Sequence, residues 1–284
     1  MPHPLLATFS IAAVDTLNGE FALASCSNYL AVGPLVLHSA APTGVLLSQS
    51  RAHPEAATKA LAHLQQAPDD VAGSLACYLA DDALREQRQV AILNAKGQSA
   101  VFSGDDCVAA VEHYQEPGLV VLGNMLVPGT IEQMVATFKR KRQQQPLAEC
   151  CISALQAGAK QGGDKRGKLA AALQTWLPQR PAYQQLNVRV DASVEPLSAL
   201  ADLVTMHRLY HPLTTLSFAS FNQTPAAASL WLQQLGFPST AEARTQWLQQ
   251  HNLAHHFEPE RNALSYEFLH ALPVLVQLLP TQQS

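Results

Sequence analysis

Short apolar and β-branched segments dominate the first hundred positions of the chain, and turn residues separate them. Residues 8–15 and 21–27 flank Asn18-Gly19, a pair that strongly favours a tight hairpin turn. Further strands are predicted at 35–38, 44–50, 88–94, 98–103 and 120–124. Because these strands follow one another as hairpins rather than alternating singly with helices, we expect mostly antiparallel sheets.

Helices are predicted where apolar residues recur at intervals of three and four. One begins near Pro54, which suits the first position of a helix, and a second covers about 69–83. A later helix carries Pro146 in its first turn and should end at Gly162-Gly163. The remaining predicted segments are an amphipathic helix around 131–138, strands at 168–177 and 186–191, and a helix around 197–207. Strand blocks separated by paired helices favour an α+β layered sandwich.

The sequence changes character after Tyr210-His211-Pro212. Short helical segments follow, with apolar anchors that include Trp231, Trp247 and Phe268. We therefore predict two domains, one over residues 1–211 and a small helical module over residues 212–284.

Composition and charge argue against a nucleic-acid partner. Hydrophobic residues make up 48% of the 284 residues, which is enough for a sizeable core, and charged residues only 14%, against about 25% in a typical soluble protein. The net charge is -4, and no basic block is long enough to follow a phosphate backbone, which argues against nucleic acid as a partner. The one basic run, at 139–142, lies at the end of a predicted helix, where cations favour the helix dipole.

Cysteine usage and the N-terminus predict a cytoplasmic protein. The five cysteines show neither a disulfide framework nor a metal-binding spacing, which fits a reducing compartment. The first residues lack the features of a signal peptide, and no stretch approaches the ~18–20 apolar residues of a membrane span. His207 and His211 have helical spacing but no third ligand, so neither a metal nor a cofactor is expected. His255-His256 is expected at the surface.

Thr8, at the head of the first predicted strand, could act as a nucleophile if its own α-amine were free. An α-amine has an ordinary pKa of about 7.7–8.0, so it can accept the hydroxyl proton near neutral pH. The alternative is that Thr8 is simply a β-branched strand residue. Cys26 or Ser10 could replace Thr8 in this role, although neither has a visible partner base.

A glycine-rich loop at residues 162–167 could surround an anionic or carbonyl group with backbone N–H groups and the guanidinium of Arg166. The alternative is a helix end and turn with an exposed Asp164–Arg166 pair. Asn124, at the end of a predicted strand, could likewise donate to an oxyanion or only make the turn.

Several segments together resemble a known bacterial family. They include Thr8-Phe9-Ser10-Ile11 and His207-Arg208-Leu209-Tyr210. The most specific are Gly123-Asn124-Met125-Leu126 and Gly162-Gly163-Asp164-Lys165-Arg166-Gly167. In order along residues 8–210, they resemble the domain-of-unknown-function family ten twenty-eight, which is grouped with the N-terminal-nucleophile (Ntn) hydrolases. Residues 213–280 resemble a peptidoglycan-binding-like module that is often appended to that family.

The resemblance implies a four-layer αββα sandwich and hydrolysis of an amide bond in a small or peptide-like substrate. Thr8 would be the nucleophile and its α-amine the base, with Asn124, Asp164 and Arg166 in orienting or oxyanion-binding roles. Sandwich folds of this kind frequently associate through exposed helices, so a homo-oligomer is an open alternative.

Two features depart from the family pattern. Residues 1–7 precede Thr8, so the Ala7–Thr8 bond would have to be cut or the start codon lie later. Asn28 stands where many relatives carry Lys. Both favour an alternative in which the chain is not catalytic and binds cell-wall glycan or a protein partner through its C-terminal module.

Overall fold

The computed structural model describes residues 5–107 and 109–279. The chain forms two compact units, Met1–Ala201 and Asp202–Ser284. The division falls inside a helix, whereas the sequence predicted it after residue 211, where the composition changes. No helix in the described part of the chain is both long enough and apolar enough to cross a membrane.

The first unit contains two antiparallel sheets. Sheet A has the order β1-β5-β6-β7, with β4 also paired to β5. Its strands are β1 (Leu5–Leu6), β4 (Leu37–Ser39), β5 (Gly44–Arg51), β6 (Arg88–Asn94) and β7 (Ser99–Ser103). Sheet B has the order β11-β10-β3-β2-β9-β8. Its strands are β2 (Thr8–Asp15), β3 (Glu20–Ser27), β8 (Glu112–Glu116), β9 (Leu119–Gly123), β10 (Ala170–Trp176) and β11 (Asn187–Val190).

The helices up to residue 210 are α1 (Gly33–Val36), α2 (Pro54–Gln66), α3 (Val71–Leu79), α4 (Thr130–Lys141), α5 (Leu147–Gln161) and α6 (Pro196–Tyr210). The short helix α1 contributes Val36 to the core between the sheets, and α2 to α5 cover the outer faces of the sheets. Helices α2 and α3 pack on sheet A, α4 and α5 pack on sheet B, and the two sheets face each other. The unit is therefore an α+β sandwich with αββα layering, as predicted.

Strand alternation decides which side chains lie between the sheets. In β2, Ala12 and Val14 belong to the core between the sheets, so Thr8 and Ser10 face the same side. In β5, Val45 and Leu47 face that core, while Leu46 packs under α2 and α3. Each fully buried leucine or valine of this kind contributes about 1.5–3 kcal/mol of hydrophobic stabilisation.

Most element boundaries match the predicted ones, and the exceptions have local causes. The prediction of a strand at 35–38 is wrong for residues 35 and 36, which belong to the short helix α1. Pro34 favours the first turn of that helix, and β4 begins only at Leu37. Helix α3 is shorter than predicted: Asp70 caps it by accepting a 2.8 Å hydrogen bond from the Gly73 N–H, and Ala80 is extended. Strand β8 was not predicted, because it is a polar edge strand without an apolar face.

The second unit combines helices with a small sheet. The helices are α7 (Ala226–Gln234), α8 (Ala241–Gln250) and α9 (Tyr266–Leu278). The sheet has the order β12-β14-β13, formed by Phe218–Ser220, Ala263–Ser265 and Phe257–Glu258. The sequence predicted the helices but not these short strands. Leu232, Leu248 and Phe268 are among the residues at the centre of the core of this unit.

The surface position predicted for the histidine pair is wrong for His256. Its ring is fully buried, with Nδ1 2.6 Å from the Ser265 hydroxyl and Nε2 2.6 Å from the Leu209 carbonyl oxygen. Burial lowers the pKa of His256 to about 4, so the ring is neutral at physiological pH.

Candidate active site

The layer between the two sheets changes from apolar to polar at the end where β2 begins. Toward the other end it is filled by residues such as Val14, Phe21 and Leu47. At the Thr8 end it contains fully buried polar residues, and we call the following group of them the polar cluster: Thr8, Ser10, Ser25, Gln49, Gln89 and Asn124. Burying polar side chains is costly unless they are hydrogen-bonded. A polar end to an otherwise apolar layer therefore marks this region as a candidate site.

Hydrogen bonds connect the polar cluster across both sheets. The Ser10 hydroxyl lies 2.7 Å from Gln49 Oε1 and 2.9 Å from the Ser25 hydroxyl. Gln49 Nε2 donates to Gln89 Oε1 at 2.7 Å and to the Thr8 carbonyl oxygen at 3.3 Å. Asn124 Nδ2 donates to the same Gln89 oxygen at 3.2 Å. These bonds fix the orientation of each amide and hold the β2 start against sheet A.

Two atoms of the polar cluster have no hydrogen-bond partner among the described residues: Thr8 Oγ1 and Asn124 Oδ1. The two residues are neighbours, since the Asn124 N–H donates to the Thr8 carbonyl oxygen at 3.1 Å. A buried polar atom left without a partner costs about 1–3 kcal/mol. Such atoms are rare in folded proteins, and a site that receives a ligand or a reacting group is one explanation for them.

The glycine-rich loop brings Asp164 and Arg166 to the same end of β2. Asp164 Oδ1 accepts from the Arg166 N–H at 2.9 Å, and its Oδ2 accepts from Arg166 Nη2 at 2.9 Å. The Asp164 side chain is fully buried, so the alternative of an exposed ion pair is wrong for this residue. The Arg166 side chain is 35% exposed. Asp164 thus holds a guanidinium whose other side faces outward.

The carbonyl oxygen of Ala7, in the peptide bond before Thr8, accepts two hydrogen bonds. The Ser27 hydroxyl donates at 2.6 Å and Arg166 Nη2 donates at 3.2 Å. Two donors aimed at one carbonyl oxygen are what an oxyanion-binding site requires. Sequence reasoning missed Ser27. The available signal was the hairpin register, in which Ser27 lies directly opposite Thr8.

Asn28 ties the backbone of this region together without adding charge. Its Nδ2 donates to the Arg166 carbonyl oxygen at 3.0 Å, and its N–H donates to Asp164 Oδ2 at 3.3 Å. Asn28 therefore fixes the loop that carries Asp164 and Arg166.

The two other proposed nucleophiles are poorly placed. Cys26 pairs with Phe9 in the β2–β3 ladder, one position away from the Thr8–Ser27 pair, so it faces the opposite side of sheet B. Burial raises the pKa of Cys26 to about 12, which leaves almost no thiolate near neutral pH. The Ser10 hydroxyl is engaged with Gln49 and Ser25.

The structure thus brings together all four residues that the sequence singled out: Thr8, Asn124, Asp164 and Arg166. In the uncut chain, however, Thr8 has no free α-amine, and both Ala7 and Thr8 are fully buried. Across residues 5–107 and 109–279, no group of three or more His, Cys, Asp or Glu side chains is arranged to hold a metal ion.

Comparison with known proteins places this sandwich in a family. A profile described as "Family of unknown function (DUF1028)" matches residues 8–200. The chain belongs to this family. A crystal structure of a DUF1028 protein from Silicibacter pomeroyi is similar, with 25% sequence identity and a TM-score of 0.65 over 71% of this chain and 86% of that chain. No curated protein matches the chain.

The matched residues contain every side chain of the candidate site, from Thr8 to Arg166, and begin directly after Ala7. Since the function of DUF1028 is unknown, an activity for this chain has to be argued from the geometry of its own residues.

Proposed function

We propose that the chain is an Ntn-type amidohydrolase that cleaves an amide bond in a small or peptide-like substrate. Thr8 is the nucleophile once removal of residues 1–7 has freed its α-amine. One observation carries the proposal: the buried Thr8 hydroxyl has no hydrogen-bond partner among the described residues, and the carbonyl oxygen of the preceding residue, Ala7, is held by two donors. The αββα layering of the first unit and the resemblance to Ntn hydrolases support it.

In this mechanism the free α-amine of Thr8 takes the proton of the hydroxyl, and Oγ1 attacks the carbonyl carbon of the substrate. The negative charge that develops on the substrate oxygen is stabilised by the Ser27 hydroxyl and the Arg166 guanidinium. The leaving amine takes a proton from the α-ammonium, and water then hydrolyses the Thr8 ester to release the acid.

Asp164 and Asn124 act as positioning residues in this scheme. Asp164 holds the Arg166 guanidinium through two of its nitrogens, at 2.9 and 3.2 Å. Asn124 fixes the Thr8 backbone through the hydrogen bond from its N–H to the Thr8 carbonyl oxygen, and its Oδ1 has no hydrogen-bond partner in the part of the chain that the structure describes. That oxygen is suited to accept from an N–H group, such as a freed α-ammonium.

The test is the N-terminus of the protein purified from its native host. Intact mass and N-terminal sequencing should find a chain that starts at Thr8, and amide hydrolysis should be lost in Thr8→Ala and retained in Thr8→Ser. Full activity in a protein that keeps Met1 would overturn the proposal.

A second candidate function is glycan binding by the second unit without catalysis. It is favoured by a groove of about 350 Å³ lined by Trp231, Tyr266, His270 and Gln223. Aromatic faces stack on the apolar faces of sugar rings, while amide and imidazole groups can bind the hydroxyls.

Retention on insoluble peptidoglycan tests this candidate. The full chain should be retained, and Trp231→Ala should lose retention. Tyr183→Ala, which alters an exposed aromatic residue of the first unit, is the matched control. A full chain that is not retained removes this candidate, and a protein captured instead from host extract would point to a protein partner.

A further inference from the structure

The three residues before Thr8 are bound in a way that differs from an ordinary chain terminus. Strand β1 does not extend β2 within sheet B. It pairs antiparallel with β5 in sheet A, Leu5 opposite Arg51 and Leu6 opposite Ser50. The chain therefore crosses from one sheet to the other at Ala7, immediately before the bond that the proposed function requires to be cut.

The segment also buries the side chains of Leu6 and Ala7 and its last carbonyl. Leu6 is fully buried in the core between the sheets, and Ala7 is fully buried as well. The Ala7 carbonyl oxygen is held by Ser27 and Arg166. Proteins hold an extended peptide ligand by the same contacts: backbone pairing to a strand, a buried apolar side chain and a carbonyl oxygen that accepts hydrogen bonds.

Removal of the segment would leave a slot of matching shape. On that side of β5, strand β4 covers Val45 to Leu47 and β1 covers Ser50 and Arg51. Without β1, the backbone of Ser50 and Arg51 is an open strand edge beside the site. The slot would keep an apolar space the size of a leucine and, next to the reacting carbonyl, a space the size of an alanine.

We propose that Leu5-Leu6-Ala7 occupies the acyl subsite of the site, so that the substrate is an extended peptide with matching side chains. The residue at the cut bond is small, and the residue before it is a branched aliphatic one. The substrate strand pairs with the Ser50–Arg51 edge, and its reacting carbonyl takes the place of the Ala7 carbonyl. The inference rests on the proposed function, because it identifies the Ala7 carbonyl position with that of the substrate.

Binding is tested with the full-length chain. Leu6→Asp puts a carboxylate into an apolar core and should expel the segment from the slot. The probe is the peptide acetyl-Leu-Leu-Ala, and acetyl-Leu-Asp-Ala is the mismatched control. Calorimetry on the Leu6→Asp chain should give a Kd for the probe that is at least about tenfold lower than the Kd for the control peptide. A buried leucine side chain accounts for that much affinity.

The wild-type full-length chain should not bind the probe, because its own segment fills the slot. Failure of the probe to bind Leu6→Asp, or equal binding of both peptides, would overturn the inference. Should Leu6→Asp not fold, Leu6→Ala, which loosens the segment without adding charge, is used in the same comparison.

Turnover separates this inference from the proposed function. The mature chain isolated from the host is given acetyl-Leu-Leu-Ala-anilide and acetyl-Leu-Leu-Phe-anilide, and kcat/KM should favour alanine by at least about tenfold, because a well-packed pocket resists a larger side chain. Turnover of both at similar rates overturns the inference and leaves the hydrolase proposal intact. If the chain binds acetyl-Leu-Leu-Ala selectively but turns over neither anilide, the peptide subsite is supported and the hydrolase proposal is refuted.

Discussion

Replacement of Thr8 by valine should stabilise the uncut chain while it removes the nucleophile. Valine has nearly the same shape as threonine and exchanges only the hydroxyl for a methyl group. Thr8 Oγ1 is buried and has no hydrogen-bond partner among the described residues, so nothing offsets its loss of hydration. The cost of such a group is about 1–3 kcal/mol, and valine should recover it.

The expected result is a free energy of unfolding that is higher by about 1–3 kcal/mol in Thr8→Val than in the wild-type full-length chain. For a unit of this size, each kcal/mol raises the melting midpoint by about 2–4 °C. Urea denaturation and thermal melting both measure the change. The mature form of the same variant should have no amide hydrolysis, because the methyl group cannot attack.

Ser10→Ala is the matched control, since Ser10 lies on the same face of β2 and is equally buried. Its hydroxyl lies 2.7 Å from Gln49 Oε1, and its removal leaves that oxygen short of a donor. We expect it to lose about 1–3 kcal/mol of stability. A Thr8→Val chain that is destabilised to a similar degree would refute the reasoning, because it would mean that the Thr8 hydroxyl is hydrogen-bonded in the folded chain.

The remaining predictions concern catalysis, pH and a buried ion pair. In the mature chain, Ser27→Ala or Arg166→Met should each lower kcat by about 10²–10³, as measured with an anilide substrate, because each removes one donor to the oxyanion; Arg261→Met, in the second unit, is the control. The stability of the second unit should fall as pH drops from about 6.5 toward 4, because the folded pKa of His256 is about 4 and the unfolded chain takes up the proton first; denaturation at several pH values should show this dependence and its absence in His256→Asn. Arg88→Met should cost about 3–5 kcal/mol in urea denaturation, since it leaves the nearly buried Asp82 carboxylate, 2.7 Å from Arg88 Nε, without its partner. Lys96→Met, which breaks an exposed pair with Asp69, should change stability by less than about 1 kcal/mol.

The sequence predicted the parts of the fold that local chemistry decides. The bounds of β2 followed from an apolar run and the Asn18-Gly19 turn, and the observed strand Thr8–Asp15 agrees with them. The end of α5 followed from Gly162-Gly163, and Gly162 adopts a positive φ there, which favours glycine. In both cases the signal lies within a few residues of the feature it predicts.

Contacts between distant segments could not be predicted in this way. Strand β1 is only two residues long and pairs with residues more than forty positions later, so the sequence has no hydrophobic periodicity that could predict it. The buried environment of Asp164 depends on Asn28 and Arg166 folding over it, although an Asp-Lys-Arg sequence is typical of an exposed turn. His256 is buried for the same reason, because its two partners, Leu209 and Ser265, belong to other elements.

Ser27 connects the fold to the proposed chemistry and was not predicted from the sequence. Ser27 is the last residue of β3, and a serine at the end of a strand gives no sequence signal of a catalytic role. Only the pairing with Thr8 across the hairpin and the crossing of the chain at Ala7 place its hydroxyl on a particular carbonyl. Ser27 therefore had to be sought opposite the first residue of β2 rather than among sequence motifs.

Under the proposed function, Ser27 and Arg166 bind a carbonyl oxygen both in the uncut chain and in the mature chain. In the uncut chain the Ala7 carbonyl accepts from Ser27 and Arg166, so both donors are satisfied and the segment is held in the slot. Once the segment has left, these donors lose their acceptor just as Thr8 gains an amine. Ser27 is fully buried in the uncut chain, and leaving its hydroxyl without an acceptor costs about 1–3 kcal/mol, so a substrate carbonyl that takes the vacant position recovers that energy. Under the proposed function, the segment before Thr8 would therefore act both as a stabilising strand and as an occupant that keeps the site closed until it is removed.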